Sequence, residues 1–471
     1  MVLDLCQPRG AEVKPKPSLL ATVAVLCVAA TADAQYVEDS IDVGGHYITG
    51  LVYNAREDVL YGAAYYGGFF VISCDSNRII KSFALDYPRE VAYDSVDNKA
   101  WCTIWGADME SLAVIDGATH TLTKKIQVPG ATKPVWDPYS NRLYVSCPTT
   151  NSVAVLDCVT DSVLASIPVG VEPESMYINT LRRKLYVMNS GDTTVSVVNM
   201  LTNQVTATAI VGEYPEYGYY SRSVDRFYCS GPEQQCVVMD GLSDAVVGHI
   251  TLPNGANYID GATGNEDAGL VYLAISTYDT DYVATVTTHG DSVVASVPVG
   301  NMPNSLAYCS RNDRLYCLTC APDSLVLLSG DGTRVLKKLL VGGYPCISVL
   351  VPRHQRMYVG HSNTRYVYVV RDTSLGVVEP QTQRSSFREP LSVTPNPFTR
   401  KAAVVWSSPA SGGEIARLYA QDGRLVRQAR IPAGEVRWVW DGRDDSSAPL
   451  PPGVYVIDAG PGLRSKVVKL R

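Results

Sequence analysis

Histidine and phenylalanine are scarce in this chain, six of each in 471 residues. The histidines (His46, His120, His249, His289, His354 and His361) are scattered along it. They share no repeat position, so they do not make the imidazole cluster on which a copper or zinc enzyme draws. Charged residues are only 18% while 46% of the chain is hydrophobic, which excludes long-range disorder. A net charge of -7 leaves no basic excess for a general nucleic-acid binder. Beyond residue 34 no apolar run reaches the roughly 18 residues that span a bilayer. A G-x-S-x-G elbow, a P-loop and an EF-hand loop are all missing, and Gly330 to Gly332 reads as a turn. Tyrosine, by contrast, is abundant at 29 residues. That skew predicts half-exposed strands whose rings pack while their hydroxyls stay wet.

The length predicts more than one folded unit. Leu19 to Ala30 (LLATVAVLCVAA) is an apolar stretch of signal-peptide length. Arg9, Lys14 and Lys16 precede it, and Ala32-Asp33-Ala34 offers an A-x-A cleavage site. Residues 1–34 therefore read as a signal peptide, with the mature chain starting at Gln35. Cys27 is not read as a lipidation site, because Leu26 stands where a small residue is needed.

A repeat dominates the next part of the chain. NRLYV at Asn141 to Val145 returns as RKLYV at Arg183 to Val187, DRFYC at Asp225 to Cys229, DRLYC at Asp313 to Cys317 and QRMYV at Gln355 to Val359. An alternating strand follows each of the first three, as in VAVLD at Val153 to Asp157, and most units end on a strand such as SIPVG at Ser166 to Gly170. Pro88, Pro173, Pro215, Pro303 and Pro345 open units, and the period is about 42 residues, that of four-stranded propeller blades. Alternation gives each unit two apolar faces, which only radial stacking of such sheets buries. The eighth unit has no clear fourth strand, and Asp39 to Gly44 looks like a repeat end, so closure by the N-terminal strand is expected. Eight blades over 35–375 are favoured, with seven as the alternative if the unit at 255–300 is misread.

These units resemble the YVTN family of β-propeller repeats, best at Asn141 to Gly170. The resemblance implies a propeller. It leaves function open, because such repeats occur in surface-layer-like proteins, binding proteins and some enzymes.

The repeat stops near Thr373, and 376–388 reads as a polar linker. Short strands with regular turns over 389–471 predict a small Ig-like β-sandwich, so the expected class is all-β throughout. The tail carries an excess of basic over acidic side chains, which leaves the propeller region acidic. It resembles the C-terminal sorting domains of type IX secretion cargo and the Ig-like domain of flagellar hook-cap proteins. The residues that carry this are Asn396, Pro397, Phe398, Trp440, Asp441, Gly442, Gly453, Tyr455 and Lys466. The resemblance implies export of a secreted or cell-surface protein, periplasmic in transit, with the secretion machinery as a partner.

Cys102, Cys229 and Cys317 share a repeat position that is valine elsewhere, which predicts small buried hydrophobes. Cys229 and Cys236 flank a tight hairpin and are the candidate disulfide. Cys317 and Cys320 form a C-x-x-C with no second pair, which does not make a zinc site. The turns into the innermost strands should meet at one mouth of the channel. They bring Arg89, Glu90, Lys133, Glu174, Glu216, Asn257 and Asn304 there, a mixed-charge setting for a polar ligand. The reading is a non-catalytic protein that binds a protein or a polar or glycan ligand. No cofactor is implied beyond a divalent cation, and no residue is assigned as a metal ligand. A lyase or lactonase at the mouth, or an envelope structural protein, are the alternatives.

Overall fold

The computed structural model describes residues 35–375, apart from 107–110, 213, 232–234 and 254. It also describes 391–470, apart from 395–397, 400, 407–414, 421–423, 433–436, 447 and 459–463. The expected signal peptide, the linker at 376–388, Asn396 and Pro397 lie outside the described residues, as does the side chain of Lys466. Among the described residues the structure is all-β, with only three single-turn 3-10 segments. None of its described helices is long and apolar enough to cross a membrane.

Residues 35–372 form four-stranded antiparallel sheets in a propeller-like architecture. Seven sheets are continuous in sequence, at 48–83, 88–127, 134–168, 173–210, 218–251, 256–298 and 301–340, and are called sheets 1 to 7 here. Sheet 8 combines three strands from 345–372 with the N-terminal strand Gln35–Asp42, which pairs antiparallel with Tyr366–Asp372. The first strands of consecutive sheets lie against one another, and that of sheet 8 lies against that of sheet 1. The turn before each second strand is fixed by a residue with φ between 50° and 63°, such as Asp58, Asn98, Asn141 or Asp225. Asp and Asn tolerate this left-handed conformation, so the repeat holds its hairpin register.

Alternation along the strands feeds two different cores. In the repeat NRLYV, Leu143 packs in the cluster shared by sheets 2 and 3. Tyr144 points the other way, into the cluster shared by sheets 3 and 4. The same division runs around the series, and one cluster joins sheets 8 and 1 through Ile48, Leu60, Tyr358 and Val367.

The repeated tyrosine is not half-exposed with a wet hydroxyl, as the composition predicts. Tyr61, Tyr144, Tyr186, Tyr228, Tyr272, Tyr316 and Tyr358 are fully buried, as is Trp101 at the same position in sheet 2. Most of their hydroxyls instead bond to the turn beyond the third strand of the following sheet. Tyr61 donates to the Gly117 carbonyl at 3.2 Å, Tyr144 to Met200 at 3.3 Å and Tyr228 to the Asp291 carboxylate at 2.7 Å. Tyr316 reaches Asp372 at 2.5 Å, and Tyr358 of sheet 8 reaches the Cys74 carbonyl of sheet 1 at 3.3 Å. Trp101 has no hydroxyl, and its Nε1 finds no partner. In that sheet Lys99 makes the crossing instead, to the Cys158 carbonyl at 2.7 Å and Asp161 at 2.6 Å. At Arg226 and Tyr228, and at Arg356 and Tyr358, the motif places a cation and an aromatic hydroxyl two residues apart, both gripping the next sheet.

Arg356 is the cation that joins the last sheet to the first. Its Nη1 donates to the Cys74 carbonyl at 2.6 Å, and its Nε and Nη2 hold both oxygens of Glu38 at 2.8 Å. Arg371 adds a third contact to Glu38 at 2.8 Å. Hydrogen bonding to Arg356 is the largest influence on Glu38. Together with Arg371 and against desolvation, it lowers the carboxyl from 4.5 to about 2. Glu38 therefore stabilises the fold above pH 4.5, and that contribution disappears as pH falls towards 2. Glu38→Gln should cost on the order of 3 kcal/mol at pH 7. In paired thermal melts, the gap between variant and wild type should close on acidification through this window.

In the C-terminal module, strands at 391–394, 402–406 and 437–440 form one sheet, and strands at 415–420, 425–430, 453–458 and 464–469 form another. Both sheets contribute to one core with Phe398, Trp440 and Tyr455 at its centre. The Phe398 and Trp440 rings lie 5.1 Å apart, and Trp440 and Tyr455 lie 5.2 Å apart. Trp440 donates to the Arg443 carbonyl at 2.9 Å, and Tyr455 to that of Pro451 at 2.6 Å. Gly442 has φ 75°, and a Cβ there would meet the Lys469 side chain at 2.7 Å. Gly453 and Lys466 lie in the central and edge strands of this second sheet, paired with Lys469 and Val456. Asp441 accepts a hydrogen bond from the Arg443 backbone at 3.2 Å.

Candidate functional site

The innermost strands share an irregularity that the repeat does not announce. Where each first strand begins, the pairing slips: between Ile48 and Gly50, Pro88 and Val91, Pro173 and Met176, Ala256 and Tyr258, Pro303 and Ser305, and Pro345 and Ile347. In sheets 3 and 5 the ladder simply starts later, at Pro134 and Gly218. A bulge leaves its extra residue outside the ladder and re-aims the side chain. The residues set free are Thr49, Arg89, Thr132, Glu174, Glu216, Asn257, Asn304 and Cys346. Each sheet thus contributes at least one polar or thiol side chain, and sheets 2 and 4 free a second, Glu90 and Ser175.

Several of these side chains line a cavity of about 340 Å³. Of the seven residues expected at the mouth, Arg89, Glu90, Lys133 and Glu174 meet in its wall. Glu216, Asn257 and Asn304 sit at the corresponding places in their sheets but do not line it. The backbone N–H of Glu216 donates to Ser230 Oγ at 3.0 Å. Asn304 turns aside to donate to the Pro345 carbonyl at 3.0 Å. The wall also includes Thr49, Thr132, Tyr217, Cys346 and Ser362, which the sequence reading did not single out. Aligning each unit on the end of its first strand would have found Thr132. It matches Arg89, whereas Lys133 matches Glu90. A smaller cavity of about 220 Å³ shares Glu90 and Lys133 with the first and adds Ser175 and Tyr177.

The charges in the wall are mostly matched. Lys133 Nζ lies 3.7 Å from Glu174 Oε2 and 3.1 Å from Ser175 Oγ. The Arg89 guanidinium lies over the Trp105 ring, 5.4 Å from its centroid. Glu90 is held by its backbone N–H, which donates to Thr103 Oγ1 at 3.1 Å. Desolvation dominates at Glu90. Lys133 and Arg89 pull the carboxyl down and Glu174 pushes it up, leaving it raised to about 7. The Cys346 thiol is pushed up to about 12, chiefly by desolvation, with Cys320 and Glu90 adding to it. It is protonated near neutral pH and is not a thiolate nucleophile. Among the described residues no three His, Cys, Asp or Glu side chains come together as a metal-holding group.

The expected pair Cys229 and Cys236 is not joined; each is a buried, free thiol. The ladder pairs Cys229 with Val237 and Cys236 with Ser230. The two thiols are thus one step out of register and leave opposite faces of the sheet. Cys229 packs between sheets 4 and 5, and Cys236 between sheets 5 and 6. Cys102, Cys229 and Cys317 are fully buried, in the same strand position as Val145, Val187 and Val359. In comparisons with known proteins, the chain matches no family model and no curated protein.

A carboxyl raised above its unfolded value retains its proton in the fold, so the fold weakens as pH climbs from 4.5 to about 7. Glu90→Gln should therefore melt above wild type at pH 8 and together with it at pH 4. Melting curves at half-unit pH steps measure the crossover.

Proposed function

We propose that this chain is an exported, non-catalytic binding protein. In this reading it is an eight-bladed β-propeller of the YVTN repeat type that holds a polar ligand at its channel mouth. An Ig-like C-terminal domain follows and directs secretion to the medium or the cell surface. One observation carries the binding reading: a bulge or late start in every first strand frees at least one side chain, and six of the eight sheets send residues into one polar cavity of about 340 Å³. The size is at the lower end of small-molecule sites. The matched charges of Lys133 and Glu174 favour holding a ligand through hydrogen bonds rather than through net charge.

The test is a thermal-shift series on the full chain with sugars, amino acids, organic acids and nucleotides. At least one class should raise the melting temperature in wild type and lose most of that effect in Arg89→Ala and Glu174→Gln. No stabilisation by any class would remove the binding reading. For export, deletion of 389–471 should leave the chain inside the envelope of a host with type IX machinery. Undiminished release into the medium would overturn the sorting role.

A propeller lyase or lactonase is the second reading, favoured by Glu90. A carboxyl raised to about 7 beside Lys133 is placed as a general acid or base. Turnover of a lactone by the wild-type chain that Glu90→Gln abolishes would establish it over simple binding.

A further inference from the structure

Beside the cavity lies a cluster of exposed aromatic rings from four separate segments. Tyr47, Tyr66, Tyr87 and Trp105 are exposed by 47%, 58%, 45% and 49%. Tyr65 stands among them, 4.8 Å from Tyr66, 5.0 Å from Tyr87, 5.8 Å from Tyr47 and 6.4 Å from Trp105, ring centre to ring centre. Backbone bonds fix the segments, Tyr65 N–H to the Tyr47 carbonyl at 2.9 Å and Trp105 N–H to that of Tyr87 at 3.1 Å. The rings are thus held in place but not in one plane: Tyr66 stands at 84° to Tyr65 and 86° to Tyr87, and His46 stacks on it at 4.9 Å.

The turns that carry two of these rings share a backbone conformation. Tyr47 and Tyr87 have φ of 63° and 46°, in the left-handed region that disfavours bulky side chains. The corresponding turn residue has positive φ in every sheet, and it is again tyrosine at Tyr214 and Tyr344. Those rings are also exposed, by 71% and 46%. Gly130 and Gly255 show that glycine fits the turn without that cost. Glu172 and Met302 hold the same conformation at 50° and 53°, so the strain belongs to the repeated turn, and tyrosine is one of several residues that bear it.

The platform and the cavity are continuous. Tyr47 belongs to the cavity wall, and Arg89 lines the cavity while covering Trp105. Thr49, Thr132 and Ser362 supply hydroxyls in the wall; each donates to a backbone carbonyl, of Arg89 at 2.7 Å, Ser146 at 3.1 Å and Tyr344 at 3.4 Å, and keeps an acceptor oxygen for a ligand. Lys133 and Glu174 offset one another, and the chain as a whole is acidic, so a polyanion is not favoured. A pyranose ring presents C–H bonds on its faces and hydroxyls at its rim. The faces suit the electron-rich faces of Tyr and Trp, and the rim suits paired hydroxyls and compensated charges.

We propose that the ligand is a chain of neutral pyranose sugars that turns across Tyr66, Tyr87 and Trp105, one sugar face to a ring, with one end in the cavity. The proposal rests on the channel-mouth binding reading and names its ligand class. Calorimetric titration of the full chain with cellohexaose, laminarihexaose, maltohexaose and chitohexaose tests it. At least one should bind saturably, and Trp105→Ala and Tyr66→Ala should each weaken it about tenfold. Tyr139→Ala, an exposed ring outside the cluster, should leave affinity unchanged. No binding of any of the four overturns the sugar proposal, while stabilisation by another class of small molecule would preserve the channel-mouth reading. Binding lost in Glu174→Gln but unaffected by both ring variants overturns the platform. Binding of a protein partner alone, blocked by Trp105→Ala, would reassign the rings to a protein interface.

Discussion

The grip of each sheet on the next is the interaction from which the rest follows. An aromatic hydroxyl, a cation, or both, two residues apart on the second strand, reach the outer turn of the neighbouring sheet. The apolar residues between and beside them fill the cores on either side. Hydroxyls buried this deeply would be costly without partners, and the neighbour's carbonyls and carboxylates supply them. The grip also sets geometry, because it holds each sheet at a fixed distance and angle from its neighbour. Tyr358 and Arg356 repeat it between the last sheet and the first, and Glu38, from the strand that begins the described chain, anchors Arg356. The two ends of the region are therefore held by charge-assisted bonds as well as by strand pairing.

The inner cavity is a consequence of that arrangement. Strands that crowd around a centre leave the ladder before they reach its end, and the residues released there converge. In most sheets they are hydrophilic, as befits side chains facing a wet space. Glu90 is the exception in its energetics, since it is surrounded closely enough for desolvation to outweigh two neighbouring cations. The aromatic platform is built from the same loops. Its rings come from the turns entering sheets 1 and 2 and from the hairpins opposite them.

The C-terminal module divides its sequence signals differently. Phe398, Trp440, Gly442 and Tyr455 are committed to its core and its tight turns. Their side chains explain why a short two-sheet module coheres. A receptor that reads this module would meet the surface that these residues hold in place, rather than the aromatic rings themselves.

The sequence by itself determined the repeat, the four-strand pattern of its units and the strand that carries each motif. These depend on alternation and on turn residues, which act over a few neighbours. Even so, the tyrosine excess points the wrong way, because a hydroxyl's partner in the next sheet is invisible along one strand. Tertiary structure decided which polar residues meet. Arg89, Glu90, Lys133 and Glu174 do, Glu216, Asn257 and Asn304 do not, and Thr49, Thr132 and Ser362 join unannounced. It also sent Cys229 and Cys236 to opposite faces and gathered Tyr47, Tyr66, Tyr87 and Trp105 into one cluster. The physical reason is common to these cases. Residues about 40 positions apart become neighbours only through the radial stacking of sheets, and that spacing is set by side chains packed between the sheets rather than by any local pattern.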